Sequence, residues 1–144
     1  MIRDATAADI PRLVEMGTRF LTETVYSGKV PVNPPAMTRT LELLLASDLG
    51  ALFVSDVGGV VTGMIGLLVF EHPITGARTA QELFWWVEPE HRGHGVRLLA
   101  RGEQWAVAAG AERLHMIAPT PAVGHLYERL GYDFLESAYQ KAIA

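Results

Sequence analysis

The sequence predicts a three-layer α/β fold in which a mixed sheet lies between two layers of helices. Segments with apolar residues at helical spacing alternate with short runs of β-branched and aromatic residues, and glycine or proline stands at most of the boundaries. A Gly58-Gly59 pair separates two strand-like runs and predicts a tight hairpin. The resulting order, β-αα-βββ-α-β-α-β, places helices on both faces of the sheet.

The first half of the chain supplies one strand, two helices and the hairpin. Thr6 suits the N-cap position, with Asp9 three residues later, and apolar residues then recur at helical spacing. Three prolines in residues 29–35 predict a loop before the second helix. The predicted elements are a strand at 1–4, a helix from Thr6 that fades near 26–28, a helix at 37–46 and the hairpin strands at 51–57 and 60–70.

The second half alternates strands with helices. The run ELFWWV predicts a buried strand that ends before Pro89, and Gly110 and Gly131 are placed to end the two helices that follow. The predicted elements are a turn region at 71–78, a strand at 82–87, a glycine-bearing loop at 91–96, a helix at 98–109, a strand at 113–118, a helix at 121–130 and the last strand or strands within 132–142.

Composition limits the classes of function. The 144 residues suit one domain, 1–144, and the net charge of −4 gives no overall field that would attract DNA or RNA. The absence of cysteine excludes disulfides, thiolate zinc sites and a cysteine nucleophile, and we expect no metal. Charged residues near the N-terminus disfavour a signal peptide, and no apolar stretch is long enough to span a bilayer. We therefore expect a cytoplasmic protein that binds neither nucleic acid nor membrane.

The most informative stretch is the loop after the ELFWWV strand, where Arg92, Gly93, His94 and Gly95 come directly before a helix. A helix N-terminus presents unpaired N–H groups and positive potential, and glycines let an anion approach the backbone. The alternative is a tight turn whose glycines only supply unusual backbone angles. The basic residues beside the glycines favour the anion site. Leu98 stands where a dinucleotide fingerprint needs glycine, and no Gly-Lys-Ser/Thr run exists for a P-loop.

Two motifs resemble those of the GNAT family of N-acetyltransferases. Residues 87–95 are similar to the family's motif A, through Val87, Pro89, Arg92, Gly93 and Gly95. Residues 125–132, HLYERLGY, are similar to its motif B, and residues 2–9 and the hairpin at 52–69 also match the family's order. The chain most resembles bacterial and phage-associated members of undefined substrate. The resemblance implies a GNAT-like fold and transfer of an acetyl group from acetyl-CoA to a primary amine.

The resemblance also implies which residues contact acetyl-CoA. Backbone amides of residues 92–97 would wrap the pyrophosphate, and the end of the preceding strand would hydrogen-bond the pantetheine arm and the thioester carbonyl. Arg97 departs from the family pattern, which usually has a small residue there, so it either faces solvent or adds a phosphate contact. Thr120 stands where motif B often has asparagine. The implied contacts are Trp86, Val87, Arg92, Gly93, His94, Gly95, Val96, Arg97 and Thr120.

Tyr127 of motif B is the implied general acid, which would protonate the departing thiolate. The alternative is a core aromatic, because Tyr127 is in helical register with Val123, Leu126 and Leu130.

Glu82 is the candidate general base. An ungapped alignment through motif A places the family's carboxylate on Gln81, and a shift of one residue reverses the face of a strand unless a β-bulge intervenes. Glu82 could instead be a solvated strand end. The alternative bases are His72, His115 and His125, because histidine is a common general base in enzymes that work near neutral pH.

The acceptor and the partners are not defined by the sequence. Small amines, amino acids and the amines of proteins all remain open, and the Trp85-Trp86 pair leaves a homodimer open as well. Two other functions compete with catalysis. One is a non-catalytic acyl-CoA-binding sensor or regulatory module, and the other is a protein-interaction domain that uses the sheet edge.

Overall fold

The computed structural model describes residues 1–144 and contains one five-stranded sheet. The strands lie in the order β1-β2-β3-β4-β5, antiparallel except for the parallel pair β4 and β5. The mixed sheet predicted from the sequence is therefore confirmed. The strands are β1 (Ile2–Asp4), β2 (Gly50–Val57), β3 (Val60–Glu71), β4 (Arg78–Val87) and β5 (Arg113–His115).

Four helices cover the two faces of the sheet. They are α1 (Ile10–Thr22), α2 (Pro34–Ala46), α3 (Gly95–Ala108) and α4 (Pro121–Arg129). Apolar residues of α1 and α2 pack in one core cluster with Leu52 and Val54 of β2. Residues of α3 and α4 pack in a second cluster with Ala51 and Phe53 of the same strand. Successive residues of β2 thus point to opposite helical layers, and the three-layer architecture is confirmed.

The central strands are apolar on both faces because both faces are covered. Ile65 and Leu67 of β3 have no exposed surface and pack towards α3, whereas Met64 packs towards α1 and α2. Burial of each such side chain contributes about 1.5–3 kcal/mol. At the hairpin, Gly58 and Gly59 have φ of 60° and 89°, as a tight turn between β2 and β3 requires, so the hairpin prediction is confirmed.

Several element boundaries differ from the prediction. The helix α2 begins at Pro34, inside the expected loop, because Asn33 Oδ1 accepts a hydrogen bond from Ala36 N at 3.1 Å and prolines suit a first turn. The expected glycine loop at 91–96 is a 3₁₀ segment, Pro89–His94, and α3 then begins at Gly95 instead of residue 98. Strand β4 begins four residues earlier than predicted, at Arg78, where it pairs with β3.

The last predicted strand is wrong. No strand follows α4, and Phe134, Leu135 and Tyr139 are 75%, 63% and 94% exposed. A strand requires a partner, and residues 132–142 pair with no strand of the sheet. A hydrogen bond of 2.7 Å from Gln140 Nε2 to the carbonyl oxygen of Lys29 joins this segment to the loop between α1 and α2.

Strands β4 and β5 pair over a short distance and then part. The pairs run from Thr79 with Arg113 to Gln81 with His115, and no further pair joins the two strands. From Glu82 onwards the edge of β4 is therefore not paired with β5, and a cleft opens between them. No helix in the structure combines the length and the apolar character needed to cross a bilayer.

Candidate active site

The cleft between β4 and β5 contains a cavity of about 180 Å³. Strand β4 supplies one wall, and α4 with the segment before it supplies the other. Side chains from the end of α1 and the following loop, Phe20, Thr24 and Tyr26, also line it. The sequence-predicted residues that line the cavity are Glu82, Trp86, Arg92, Thr120 and Tyr127. The structure therefore brings both candidate catalytic residues to one place.

A β-bulge determines which face of β4 carries Glu82. Glu82 pairs with Leu67 and Phe84 pairs with Gly66, so Leu83 is an extra residue without a partner on β3. Leu67 belongs to the core cluster on the α3 and α4 side, and directly paired residues point to the same face. Without the bulge, Glu82 would share the face of Phe84, which packs against the α1 and α2 cluster. The bulge thus turns Glu82 towards Tyr127.

Glu82 is a buried carboxylate with few hydrogen-bond partners. It is 6% exposed, and its Oε2 accepts a hydrogen bond from Ile117 N at 2.8 Å, whereas no protein group donates to Oε1. Burial raises the pKa of Glu82 to about 7, because the charged form loses its hydration, and the single backbone donor offsets only part of this effect. The reading of Glu82 as a solvated strand end is therefore wrong. At neutral pH the side chain can both accept and release a proton.

Tyr127 is part of the core and also faces the cleft. Its ring is 6% exposed and stacks on Trp85 with 5.9 Å between ring centroids. Its hydroxyl donates a hydrogen bond of 2.9 Å to the carbonyl oxygen of Ile117. Burial and the nearby negative charge of Glu82 raise the pKa of Tyr127. The peptide groups of Ile117 are thus held by Glu82 at the N–H and by Tyr127 at the carbonyl.

The start of α3 lies directly against β4. A Cβ atom at Gly95 would stand 3.2 Å from Cζ2 of Trp85, so any side chain there would contact the ring tightly, whereas the φ of −62° at Gly95 is ordinary. Gly93 has open space around it. His94 is the N-cap residue, and its side chain makes no capping hydrogen bond. Val96 and Arg97 are exposed beside it, so the first turn of α3 is open to a ligand.

The side chain of Arg92 is directed at β4. Its Nε donates a hydrogen bond of 2.7 Å to the carbonyl oxygen of Val87, and its guanidinium carbon lies 4.8 Å from the centroid of a Trp86 ring. The two terminal nitrogens of Arg92 have no hydrogen-bond partner in the protein, so they are available to an anion. Trp86 is 5% exposed, and its Nε1 and that of Trp85 are buried donors without partners. Both rings line the cavity.

Thr120 lines the cavity, whereas the three candidate histidines lie elsewhere. Thr120 is the N-cap residue of α4, where its hydroxyl accepts a hydrogen bond of 3.4 Å from Val123 N. None of the three candidate histidines lines the cavity of Glu82. His72 and His115 face each other with 6.4 Å between ring centroids, and the side chain of His125 is 68% exposed beside Glu128. No group of three or more His, Asp or Glu side chains is arranged to hold a metal ion.

Comparison with known proteins decides the family. The sequence model of the acetyltransferase (GNAT) family matches residues 18–132, which is well over half of the chain. This chain belongs to the GNAT family. Acetyl-CoA is the acyl donor that this family uses, and the family resemblance predicted from the two motifs is confirmed. None of the curated proteins compared with this GNAT protein matches it.

Solved structures with the same fold include acetyltransferases from several bacteria. A predicted acetyltransferase from Clostridium acetobutylicum, solved with acetyl-CoA, has a TM-score of 0.83 at 18% identity, covering 99% of this chain and 96% of that one. A transcriptional regulator from Bacillus halodurans C-125 has a TM-score of 0.78 at 20% identity and 99% coverage of both chains. A ribosomal-protein-alanine N-acetyltransferase from Brucella melitensis has a TM-score of 0.75 at 19% identity, covering 99% and 98%. At these identities the likeness establishes the fold alone.

One charged cluster of this GNAT protein was not found from the sequence. Glu88, directly after β4, is 2% exposed and bonds Arg12 at 3.0 Å and also Arg19. Its backbone N–H donates to the carbonyl oxygen of Thr62 at 2.8 Å. The cluster fixes α1 to the end of β4 beside the cleft. The available signal was the spacing of Arg12 and Arg19, which lie two helical turns apart on one face of α1.

Proposed function

We propose that this GNAT protein, acting as one domain of residues 1–144, transfers the acetyl group of acetyl-CoA to a primary amine by direct attack on the thioester. The observation that carries the proposal is the position of Glu82. A carboxylate with a pKa of about 7 lies in a cleft at the unpaired edge of β4, next to the open N-terminus of α3. A general base works best when its pKa is close to the working pH.

The residues around the cleft fit acetyl-CoA. Backbone N–H groups of the first turn of α3, at Val96 and Arg97, would receive the pyrophosphate beside the N-cap residue His94, because a helix N-terminus favours negative charge. The buried indole N–H groups of Trp85 and Trp86 lack partners, and the pantetheine arm carries amide carbonyls that could accept hydrogen bonds from them. When bound, acetyl-CoA supplies a carbonyl carbon that is open to attack and a thiolate leaving group.

Glu82 would remove the proton that the amine must lose. A lysine-like amine has a pKa of about 10 and arrives mostly protonated at neutral pH. Glu82 Oε1, which has no protein donor, takes the proton directly or through one water. The amine nitrogen would then bond to the carbonyl carbon, and the carbon–sulfur bond would break with its electron pair leaving on the sulfur. The nitrogen's second proton would pass to the departing sulfur or to water, which gives the neutral amide and the free thiol.

Tyr127 would assist the departing sulfur by hydrogen bonding. Its raised pKa keeps the phenol protonated, and complete transfer to a thiolate whose conjugate acid has a pKa of about 8.5 is uphill. The hydroxyl donates to the carbonyl oxygen of Ile117, so it must exchange that acceptor for the sulfur as charge develops there. The acid role thus becomes donation of a hydrogen bond in the transition state.

The test is release of free thiol from acetyl-CoA in the presence of a panel of primary amines. Glu82→Gln keeps the size of the side chain and removes its proton affinity, so we expect turnover to fall by about 10²–10⁴, with binding of acetyl-CoA retained. The matched control is Glu42→Gln, at an exposed position of α2, which should behave like the parent. Tight binding of acetyl-CoA with no thiol release from any amine would favour the non-catalytic sensor instead.

A further inference from the structure

A second cavity lies between α1, α2 and the bulge of β4, and we call it the α1–α2 pocket. Its volume is about 320 Å³, and nine of its 13 lining residues are hydrophobic. Asn33 and Thr40 supply the polar side chains of its wall, and no ionisable side chain lines it. The pocket is therefore apolar and uncharged, unlike the cleft around Glu82.

The α1–α2 pocket adjoins the cleft through shared walls. Phe20 of α1 and Leu83 of β4 line both cavities. Leu83 is the extra residue of the β-bulge, and the residue before it is Glu82. The same bulge thus turns the carboxylate into the cleft and places Leu83 between the cleft and the pocket.

The size and the charge of the pocket select its occupant. An apolar cavity of about 150 Å³ holds a benzene molecule, so a pocket of about twice that volume accommodates an alkyl chain or a bicyclic ring. A second ammonium group would lose its hydration there without any carboxylate to compensate, which disfavours polyamines. An apolar group on the acceptor amine would instead gain from burial.

We propose that the acceptor is a primary amine attached to one uncharged apolar group, and that this group occupies the α1–α2 pocket while the amine reaches Glu82 past Leu83. The inference rests on the proposed acetyl transfer and names the class of acceptor for the same site. Leu83 and Phe20 then determine specificity, because the acceptor passes between them.

The first experiment measures KM for a series of linear alkylamines from methylamine to hexylamine, with acetyl-CoA saturating. We expect KM to fall about fourfold per added methylene, since burying one methylene contributes about 0.8 kcal/mol. Phenethylamine should be acetylated efficiently, and spermidine should be a poor acceptor. A flat series, or a preference for spermidine, would overturn the inference.

Two variants of α2 distinguish the effect of filling the pocket from the effect of adding an apolar side chain elsewhere on the same helix. Ala36→Leu fills the α1–α2 pocket from the wall that α2 provides. It should lower the ratio of kcat/KM for hexylamine over methylamine by about tenfold or more. Ala46→Leu makes the same change at an exposed position of α2 outside the pocket and should leave the ratio unchanged. An equal ratio in the two variants would contradict the pocket assignment.

A binding measurement distinguishes failure of the pocket from failure of the transfer. Hexylamine binding is titrated calorimetrically with the parent protein and both variants. If the protein acetylates methylamine but KM is the same for all the alkylamines, the pocket assignment is wrong and the proposed acetyl transfer still holds. A second outcome is that Ala36→Leu weakens hexylamine binding, Ala46→Leu does not, and no amine is acetylated. That outcome supports the pocket assignment and contradicts the proposed acetyl transfer. Absence of both binding and transfer overturns both proposals.

Discussion

Replacing Glu82 by Gln tests the electrostatics of the cleft through stability, without any substrate. Burial raises the pKa of Glu82 from 4.5 to about 7 in the folded protein. Each pKa unit corresponds to 1.36 kcal/mol, so ionised Glu82 lowers the free energy of unfolding by about 3 kcal/mol. Below pH 4.5 both states are protonated and this cost is absent. As the pH rises from 4.5 to 7, the unfolded chain loses the proton first, and the free energy of unfolding declines.

The Glu82→Gln variant cannot ionise at this position, so it should not share that decline. We expect the variant to match the parent near pH 4 and to exceed it by up to about 3 kcal/mol at pH 8. The assay is urea denaturation of both proteins at several pH values, read as a difference, so that other titrating groups cancel. Glu42→Gln, at an exposed position, should show no such pH dependence. A Glu82→Gln difference that is constant from pH 4 to 8 would refute the reasoning.

Three further substitutions test the cleft and the loop beside it. Gly95→Val places a branched side chain against Trp85, where even a Cβ atom would lie 3.2 Å from the ring, so it should lower Tm and weaken binding of acetyl-CoA. The control is Gly93→Ala, which should leave Tm unchanged because a Cβ atom there has nothing within 4 Å. Equal Tm values for the Gly95→Val and Gly93→Ala variants in a thermal scan would contradict this packing argument. Tyr127→Phe loses the hydrogen bond to Ile117, so urea titration should show a loss of about 1 kcal/mol. Its turnover should fall by about 10²–10³, as expected for loss of one hydrogen-bond donor to a developing negative charge, with the Kd for acetyl-CoA retained, and unchanged turnover would limit Tyr127 to a structural role.

The parts of the fold that the sequence predicts well are those with local causes. The hairpin at Gly58 and Gly59 needs only two residues that tolerate positive φ. Helix ends were less well predicted where the same residues are typical of both a loop and a first helical turn. Pro34 and Pro35 were interpreted as loop residues, but the first helical turn tolerates proline, and the side chain of Asn33 caps it.

The C-terminal segment shows a different kind of failure. Residues 132–142 were expected to hold a strand, yet they form none. Strand formation depends on a partner, and the sequence does not reveal that β5 ends at His115. The same early end of β5 leaves the edge of β4 unpaired from Glu82 onwards. The early end of β5, a non-local feature, is therefore what opens the cleft.

The site was predicted in its residue types but not in its geometry. Motif B indicated Tyr127, but the alignment through motif A pointed to Gln81, so Glu82 was a candidate only if a β-bulge intervened, and no local pattern identified that bulge. The bulge appears only in the register of two strands, where Leu83 has no partner on β3. The partners of Glu88 likewise come from α1, far away in sequence. Long-range contacts of this kind are not encoded in short windows of sequence.

The single hydrogen bond to Glu82 explains how the cleft can be stable and also reactive. Where β5 no longer pairs with β4, Glu82 Oε2 accepts from Ile117 N in place of a ladder bond, and this contact holds the segment after β5 at the cleft. Additional donors would tie the segment more firmly, but each would favour the charged form and lower the pKa of Glu82 towards its ordinary value. One donor keeps the pKa near 7, where the carboxylate can take a proton from an amine and release it to water. Ionised Glu82 thus costs about 3 kcal/mol of stability above pH 7, and the same raised pKa is what the proposed base role requires at neutral pH.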